Sequence, residues 1–402
     1  LTIIKTRNQN TIIEDNTKKI SVISDNSCPT KNIQTMKNIL TIIITLCFAY
    51  SAQAQQPQIA LHHNGSSTFY TSATTAMTAA QNGDTLYFPG GSFGNLSIDK
   101  QLVIYGAGIH SDSSSVTGVS SLTNAYFREN SSGSKLQGFR ITYISIEPTV
   151  PTSILSNIII SKCKFEGSFT TNNHNQVISQ TPAIIFGNSN LDTLRDVLIV
   201  ENIIGNISTS SSYAYQQSNS IEYSNNVDSI YNIIFLKNII RRRSNNVRNA
   251  EFYNNIFLGS SFSNVKNCFF FNNYFSLGVS LNSPTLIENC IFNNNLNLTA
   301  NFNTNYNLGI NNIASQSITN TFINATNNYI FSFSDDYHLK SSSPGKNAGF
   351  DGTDIGIYGT AVPTQEGWLP DNPRIIFKNI ANMPDVNGNL PVQVQTRAVD
   401  NQ

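Results

Sequence analysis

Three consecutive arginines, Arg241-Arg242-Arg243, stand eight residues ahead of a lone glutamate, Glu251, and the next 23 residues bring Tyr253, Phe271 and Tyr274. Guanidinium groups suit a sugar carboxylate or sulfate, because their planar fork donates two parallel hydrogen bonds to such a group. A carboxyl in apolar surroundings keeps its proton to higher pH, which suits Glu251 to proton transfer. Aromatic faces offer flat area for a pyranose, so Tyr253, Phe271 and Tyr274 join the arginines in a candidate site for an anionic polysaccharide. His174, in the polar run Thr171–Asn175, is a further lining residue. In this reading Arg241, Arg242, Arg243 and Glu251 are the catalytic set, while Tyr253, Phe271, Tyr274 and His174 bind substrate. Each also has a plain structural role open to it: a solvated turn for the arginines, an arginine partner for Glu251, a solvated loop for His174.

The elements that must position these residues are repeats. Asn267–Phe275 (NCFFFNNYF) and Asn289–Leu296 (NCIFNNNL) show a short β-forming run followed by Asn, and the pattern recurs with anchors at Cys163, Asn202, Asn238, Asn255, Asn273 and Asn295. Six residues before them stand Asn157, Asp196, Asn232, Asn249, Asn267 and Asn289. Spacings of 17, 18 and 22 residues from Asn238 onward each fit one coil of three short strands. The earlier gaps of 39 and 36 residues require either a degenerate extra coil or outward loops, roughly residues 167–190 and 206–229. Insertions of that kind leave a solenoid as surface loops on a rigid frame.

Within a block the period is two. The positions five and three before each anchor, such as Ile158 and Ile160 or Cys268 and Phe270, should point inward and stack on their counterparts at about 4.8 Å. The anchor amides should bond one another and the turn backbone, which explains Asn in a β context. The outward position four before the anchor is apolar apart from Glu251, and the position two before holds Val200, Leu236, Tyr253 and Phe271; such a stripe needs a partner. The insertions or the tail after Pro363 would serve, as would a glycan or another protein. If the insertions loop out without adding coils, Lys162, Glu201 and Lys237, each immediately before its anchor, stack as a surface ladder of alternating charge worth about a few tenths of a kcal/mol per pair.

The expected fold is all-β: a single-stranded right-handed parallel β-helix over residues 84–360, of about nine to eleven coils, with a short capping helix at Thr74–Ala80 closing the first of them. Residues 55–83 form the amino-terminal cap and 361–402 a tail packed on or extending from the solenoid. Met36-Lys37-Asn38, the apolar run Ile39–Ala49 and Ala52-Gln53-Ala54 read as a secretory signal cleaved before Gln55. The run falls short of the roughly 20 residues a bilayer span needs, so secretion to the periplasm, medium or cell surface is expected. Residues 1–35 lie upstream of that start and read as an extension of the frame.

The chain carries 24 basic and 24 acidic side chains, and the part after Ala54 keeps 18 and 21 of them. Such a balance disfavours nucleic acid, whose recognition needs a basic field. Cys163, Cys268 and Cys290 remain in that part. Cys268 and Cys290 fall on equivalent inward positions, as a ladder of free thiols or as a disulfide. Neither the cysteines nor the five histidines have metal-ligand spacing.

Ala76–Ala80 followed by Gly83–Phe93 (GDTLYFPGGSF) resembles the opening of secreted right-handed parallel β-helix proteins of the pectate-lyase-like superfamily. Ser343–Gly349 (SPGKNAG) and Asp351–Gly359 (DGTDIGIYG) are similar to the closing motif of many such proteins in Bacteroidetes-type bacteria. The resemblance covers about residues 60–360 and implies membership among proteins that include polysaccharide lyases, glycoside hydrolases and uncharacterised members; a non-catalytic surface or adhesion module is the alternative reading. A lyase of this kind holds Ca²⁺ in an acidic cluster and removes a proton with Arg or Lys, and a hydrolase uses several Asp carboxylates on adjacent coils. Here Asp192 and Asp196 flank Arg195, with Glu201 following, and strand alternation sends them in different directions.

Overall fold

The computed structural model describes residues 58–397, apart from 113, 172–176, 189, 206–218, 225–228, 260, 278, 280–286, 300 and 305. The upstream extension, the signal segment and His174 lie outside the described residues. From Thr85–Tyr87 to Asn307–Ile310 the long sheet is parallel throughout, passing through Val103–Tyr105, Lys135–Gln137, Ser153–Ser161, Leu191–Val200, Ser229–Leu236, Ala250–Tyr253, Phe269–Phe271 and Ile291–Asn293. A second sheet divides along Arg140–Ile146. Its first half leads through Lys164–Phe165, Ile203–Ile204, Ile239–Arg241 and Ile256–Leu258 to Tyr274–Phe275. Its second half leads through Ile184–Phe186, Asn219–Tyr223 and Arg243–Asn245 to Phe262–Ser263. The chain visits the long sheet and the two rows of the second in turn, an all-β arrangement consistent with a parallel β-helix.

The alternating pattern is what closes the core. Every inward residue from Ile158 to Phe292 is buried, and the phenylalanines form a column. Phe235, Phe252, Phe270 and Phe292 stack with centroids 4.7, 4.8 and 4.6 Å apart and planes within 7°. That separation is the strand spacing itself, so offset stacking adds to the burial of each ring.

Asparagine does two jobs at the bends. At the anchors, the side-chain oxygens of Asn202, Asn238, Asn255, Asn273, Asn295 and Asn312 each accept the backbone N–H of the anchor before, from Cys163 onward, at 2.8–2.9 Å. Their amides donate to strand carbonyls such as Ile199, Phe235 and Phe252, so the buried polar groups are satisfied. The residues six before the anchors have φ of +52° to +56°, and those immediately before have +51° to +57°. These are left-handed corners, which Asn tolerates better than most side chains.

Cys163, Asn202 and Asn238 are neighbours in this ladder, so each long gap is a single repeat. The first carries an antiparallel hairpin of Ser168–Thr171 and Val177–Thr181 before rejoining the second sheet. The expected loops at 167–190 and 206–229 therefore each include one strand of that sheet. The helix covers Ala73–Ala79 and buries Ala73, Ala76 and Met77 over the end of the core.

The parallel sheets stop at Ile310, and the following chain doubles back along their flank. Ile318, Phe322, Phe331, Tyr337, Ile357 and Trp368 form a second apolar core with Ile203, Ile239, Ile256, Tyr274 and Leu296, the residues just after the anchors. A return segment, residues 348–372, then follows the left-handed corners toward the amino end. Its contacts are Ala348 with Asn294, Phe350 and Gly356 with Asn272, Gly356 with Asn254, Val362 with Lys237, and Asp371 with Lys162, Gln137 and Lys135.

Candidate functional site

The outward side of the long sheet carries two straight rows. Ile159, Leu198, Ile234, Glu251, Phe269, Ile291 and Leu308 are register partners in one, and Val200, Leu236, Tyr253, Phe271, Asn293 and Ile310 in the other. Phe269 and Leu308 are each 39% exposed, and Tyr231 nearby is 46% exposed. Neither the return segment nor the final hairpin removes this face from solvent. The hairpin, Arg374–Ile380 with Val392–Arg397, is itself exposed apart from Arg374. It does not act as the apolar cover that its sequence suggests.

Tyr253 and Phe271 lie side by side at 5.2 Å with planes 10° apart, and Phe350 packs on Phe271 at 5.4 Å. Their faces are therefore largely spent on one another, and Phe269 with the aliphatic rows supplies the open area. Glu251 accepts a hydrogen bond from the Tyr253 hydroxyl at 2.7 Å. Burial, and then this carboxylate, push that hydroxyl above its usual range. The partner of Glu251 is thus a tyrosine and not the arginine expected; Arg241 and Arg243 stand on strands of the second sheet, and Arg248 donates to the Ser224 carbonyl.

Arg241 and Arg242 depart furthest from expectation. Arg241 is 2% exposed; its Nε donates to the Tyr329 carbonyl and its Nη1 to Gly205 at 3.3 Å, beneath the segment that doubles back. Arg242 is 3% exposed at a left-handed corner. Covered guanidinium groups cannot grip a polymer, which leaves Arg243, half-buried in the other row, as the arginine of the three within reach of solvent. Tyr274 is fully buried against Phe322, 4.8 Å away and nearly perpendicular. It points outward from its strand as expected, yet into the second core, so it cannot stack on a sugar.

The acidic residues do not converge. Asp196 pairs with Arg195 at 3.3 Å and accepts from Asn232. Glu201 sits 3.7 Å from both Lys162 and Lys237, all three buried beneath the return segment and not on the surface as the ladder reading had them. Burial lowers the Lys237 ammonium below its ordinary range although Glu201 opposes this. Among the described residues no group of three His, Cys, Asp or Glu side chains comes together as a metal ion would require, so the donor set there does not fit Ca²⁺. Cys163, Cys268 and Cys290 are free, buried thiols. Among the described residues no helix is long and apolar enough to cross a membrane.

No known family matches this chain, and no curated protein matches it. Geometry and chemistry must carry the functional reading. Sequence reasoning missed two residues on the long sheet, Tyr87 and Tyr105, whose rings stack 5.6 Å apart with planes 16° apart. Both close a short β run, Thr85-Leu86-Tyr87 and Val103-Ile104-Tyr105, and that matching position was the available signal.

Proposed function

We propose that the chain is an exported right-handed parallel β-helix that holds an extended polysaccharide against the uncovered face of its long sheet without cutting it. The observation that carries this reading is the outward face of the long sheet, where one largely apolar row runs across seven successive strands from Ser153–Ser161 to Asn307–Ile310 and a second across six, with Ile159, Phe269, Leu308 and Ile310 exposed. Large exposed apolar patches commonly mark a docking site, and rows repeating at about 4.8 Å suit a partner that is itself a regular polymer. Sugar rings present apolar C–H faces that pack on aromatic and aliphatic side chains. Handedness and export are supported by the resemblance of Gly83–Phe93 and Ser343–Gly359 and by the leader-like Met36–Ala54.

Binding is favoured over cleavage by the surroundings of Glu251. Its carboxylate is engaged by Tyr253, and Arg241 and Arg242 are enclosed on another face. The test is retention of the chain from Gln55 on insoluble cellulose, chitin and xylan and on pectate and alginate gels, beside a Phe269→Asp/Ile291→Asp variant. Retention by the parent and loss in the variant is expected, with neither new reducing ends nor the ultraviolet absorbance of an unsaturated uronate. A parent retained on none of these, or a variant retained equally, sinks the reading. The adhesion alternative, in which the same rows meet a protein, then takes its place.

A further inference from the structure

The amino-terminal edge of the long sheet lacks the features that keep a strand edge to itself. Ser66–Tyr70 is the outermost strand there and, among the described residues, pairs with Ile59–His63 alone. Ser66, Ser67, Thr68 and Phe69 are all exposed, Phe69 at 61%. The two strands are joined by Asn64 and Gly65, with φ of +46° and +80°, a two-residue turn that makes His63 and Ser66 a hydrogen-bonded pair. Bonded and non-bonded pairs alternate along an antiparallel ladder, so Thr68 and Tyr70 also bond toward Ile59–His63. The backbone N–H and C=O of Ser67 and of Phe69 therefore point out of the sheet edge. Natural edges are blunted by Lys, Pro, a bulge or a covering segment, whereas this strand keeps an unbroken register and carries neither residue.

Charge and symmetry select the partner for this edge. From Gln55 to Gly83 the chain holds no Asp, Glu, Lys or Arg. The first acid, Asp84, is 5% exposed and bonded to His63, and Lys100, beside the capping helix, donates to the carbonyls of Met77 and Thr78. A charged partner finds little to grip here. A contact of the surface with itself sets every charge against its like, so it requires such a neutral end. The open backbone groups have the matching symmetry. About a two-fold axis through Thr68, Ser67 of one copy stands opposite Phe69 of the other, and every outward N–H and C=O of the two strands meets its complement. We propose that the chain forms an end-to-end dimer in which Ser66–Tyr70 pairs antiparallel with the same strand of a second copy. Both long sheets then continue into one, with their outward faces on the same side, and each Phe69 ring lies against the neighbouring strand.

The contact is small, at the weak and transient end of specific interfaces, so the chain from Gln55 is followed by analytical ultracentrifugation from low to high micromolar concentration. A monomer–dimer equilibrium is expected and nothing larger, because a two-fold contact closes on itself. Ser67→Pro removes an outward N–H and no hydrogen bond of the hairpin. It should melt as the parent does and weaken the dimer about tenfold or more. Thr68→Cys sets the two substituted positions about 4.5 Å apart between Cα atoms, within disulfide reach. Oxidised glutathione should therefore link it into dimers, whereas Ser67→Cys, which stands opposite Phe69, should stay unlinked. Phe269→Asp/Ile291→Asp should dimerise as the parent does, which separates this edge from the polysaccharide-binding face. A parent that stays monomeric throughout, growth into open-ended polymers, a folded Ser67→Pro that dimerises undiminished, or equal linking of Thr68→Cys and Ser67→Cys overturns the proposal. So does loss of the dimer in Phe269→Asp/Ile291→Asp, which would move the contact to the apolar rows.

Discussion

The side-chain oxygen of Asn273 accepts both the backbone N–H of Asn255, at 2.8 Å, and its side-chain amide, at 3.0 Å. Asn255 does the same for Asn238 while also donating to the Phe235 carbonyl. Replacing Asn255 by Leu strands donors and an acceptor in a dry interior. The expected cost is about 3–5 kcal/mol, since each buried polar group left unmade costs roughly 1–3. Urea unfolding of the variant measures it. A loss below about 1 kcal/mol would mean that the ladder contributes little beyond shape.

Asp371 gives the fold an acid-sensitive contact. Burial alone would raise its carboxyl, but hydrogen bonds from Lys162 and Gln137 and the nearby lysine charges hold it at about 2. A carboxyl with a depressed folded value stabilises above its ordinary value of 3.8 and loses that contribution as pH falls through about 2. Asp371→Asn should therefore destabilise by about 1–2 kcal/mol at neutral pH, after allowance for screening, and should flatten the acid limb of the stability profile. Thermal melts from pH 7 down to 2 decide it, and identical limbs in parent and variant refute the assignment.

Arg241 is expected to act on stability and not on ligand. Arg241→Met removes the donor to the Tyr329 and Gly205 carbonyls beneath a packed segment, at a cost of about 2–4 kcal/mol. Retention on polysaccharide below the melting temperature should be unchanged. The opposite pattern, with full stability and lost retention, would return Arg241 to a ligand site.

The three inner thiols should be inert while the protein is folded. Burial pushes the Cys163 thiol up to about 12 and raises Cys268 well above its ordinary range, whereas a hydrogen bond from Cys268 lowers Cys290, which is protected by its complete burial alone; the thiolate is the reactive form. Mass mapping after alkylation near neutral pH should find Cys163, Cys268 and Cys290 unmodified in the native chain and modified in denaturant. Rapid native labelling of any of them would show that the repeats open locally.

The inward rows were legible because side chains on a strand alternate and because Ile and Phe recur in step with the anchors. The bends were half legible. Hydrogen bonding accounts for Asn202 through Asn295, but Asn232, Asn249 and Asn267, besides bonding their neighbours, sit on a left-handed backbone, a need that spacing alone does not state. Arg241 and Tyr274 were misread for one reason: a strand pattern separates inside from outside without saying whether the outside is wet. The row Ile203, Ile239, Ile256, Tyr274 and Leu296, apolar just after each anchor, was the signal that this side is roofed over.

The return segment also changes how the molecule should come apart. A solenoid built only from neighbouring repeats is held by local contacts and unravels from its ends. Here Asp371 bonds Lys135 and Gln137, more than 230 positions earlier in the chain, and residues 348–362 touch the corners in between. The seam couples repeats that otherwise never meet, so fraying at one end is opposed by contacts at the other. During synthesis the early repeats form before their seam exists, and the fold reaches its full cooperativity only when the last hundred or so residues have closed along it.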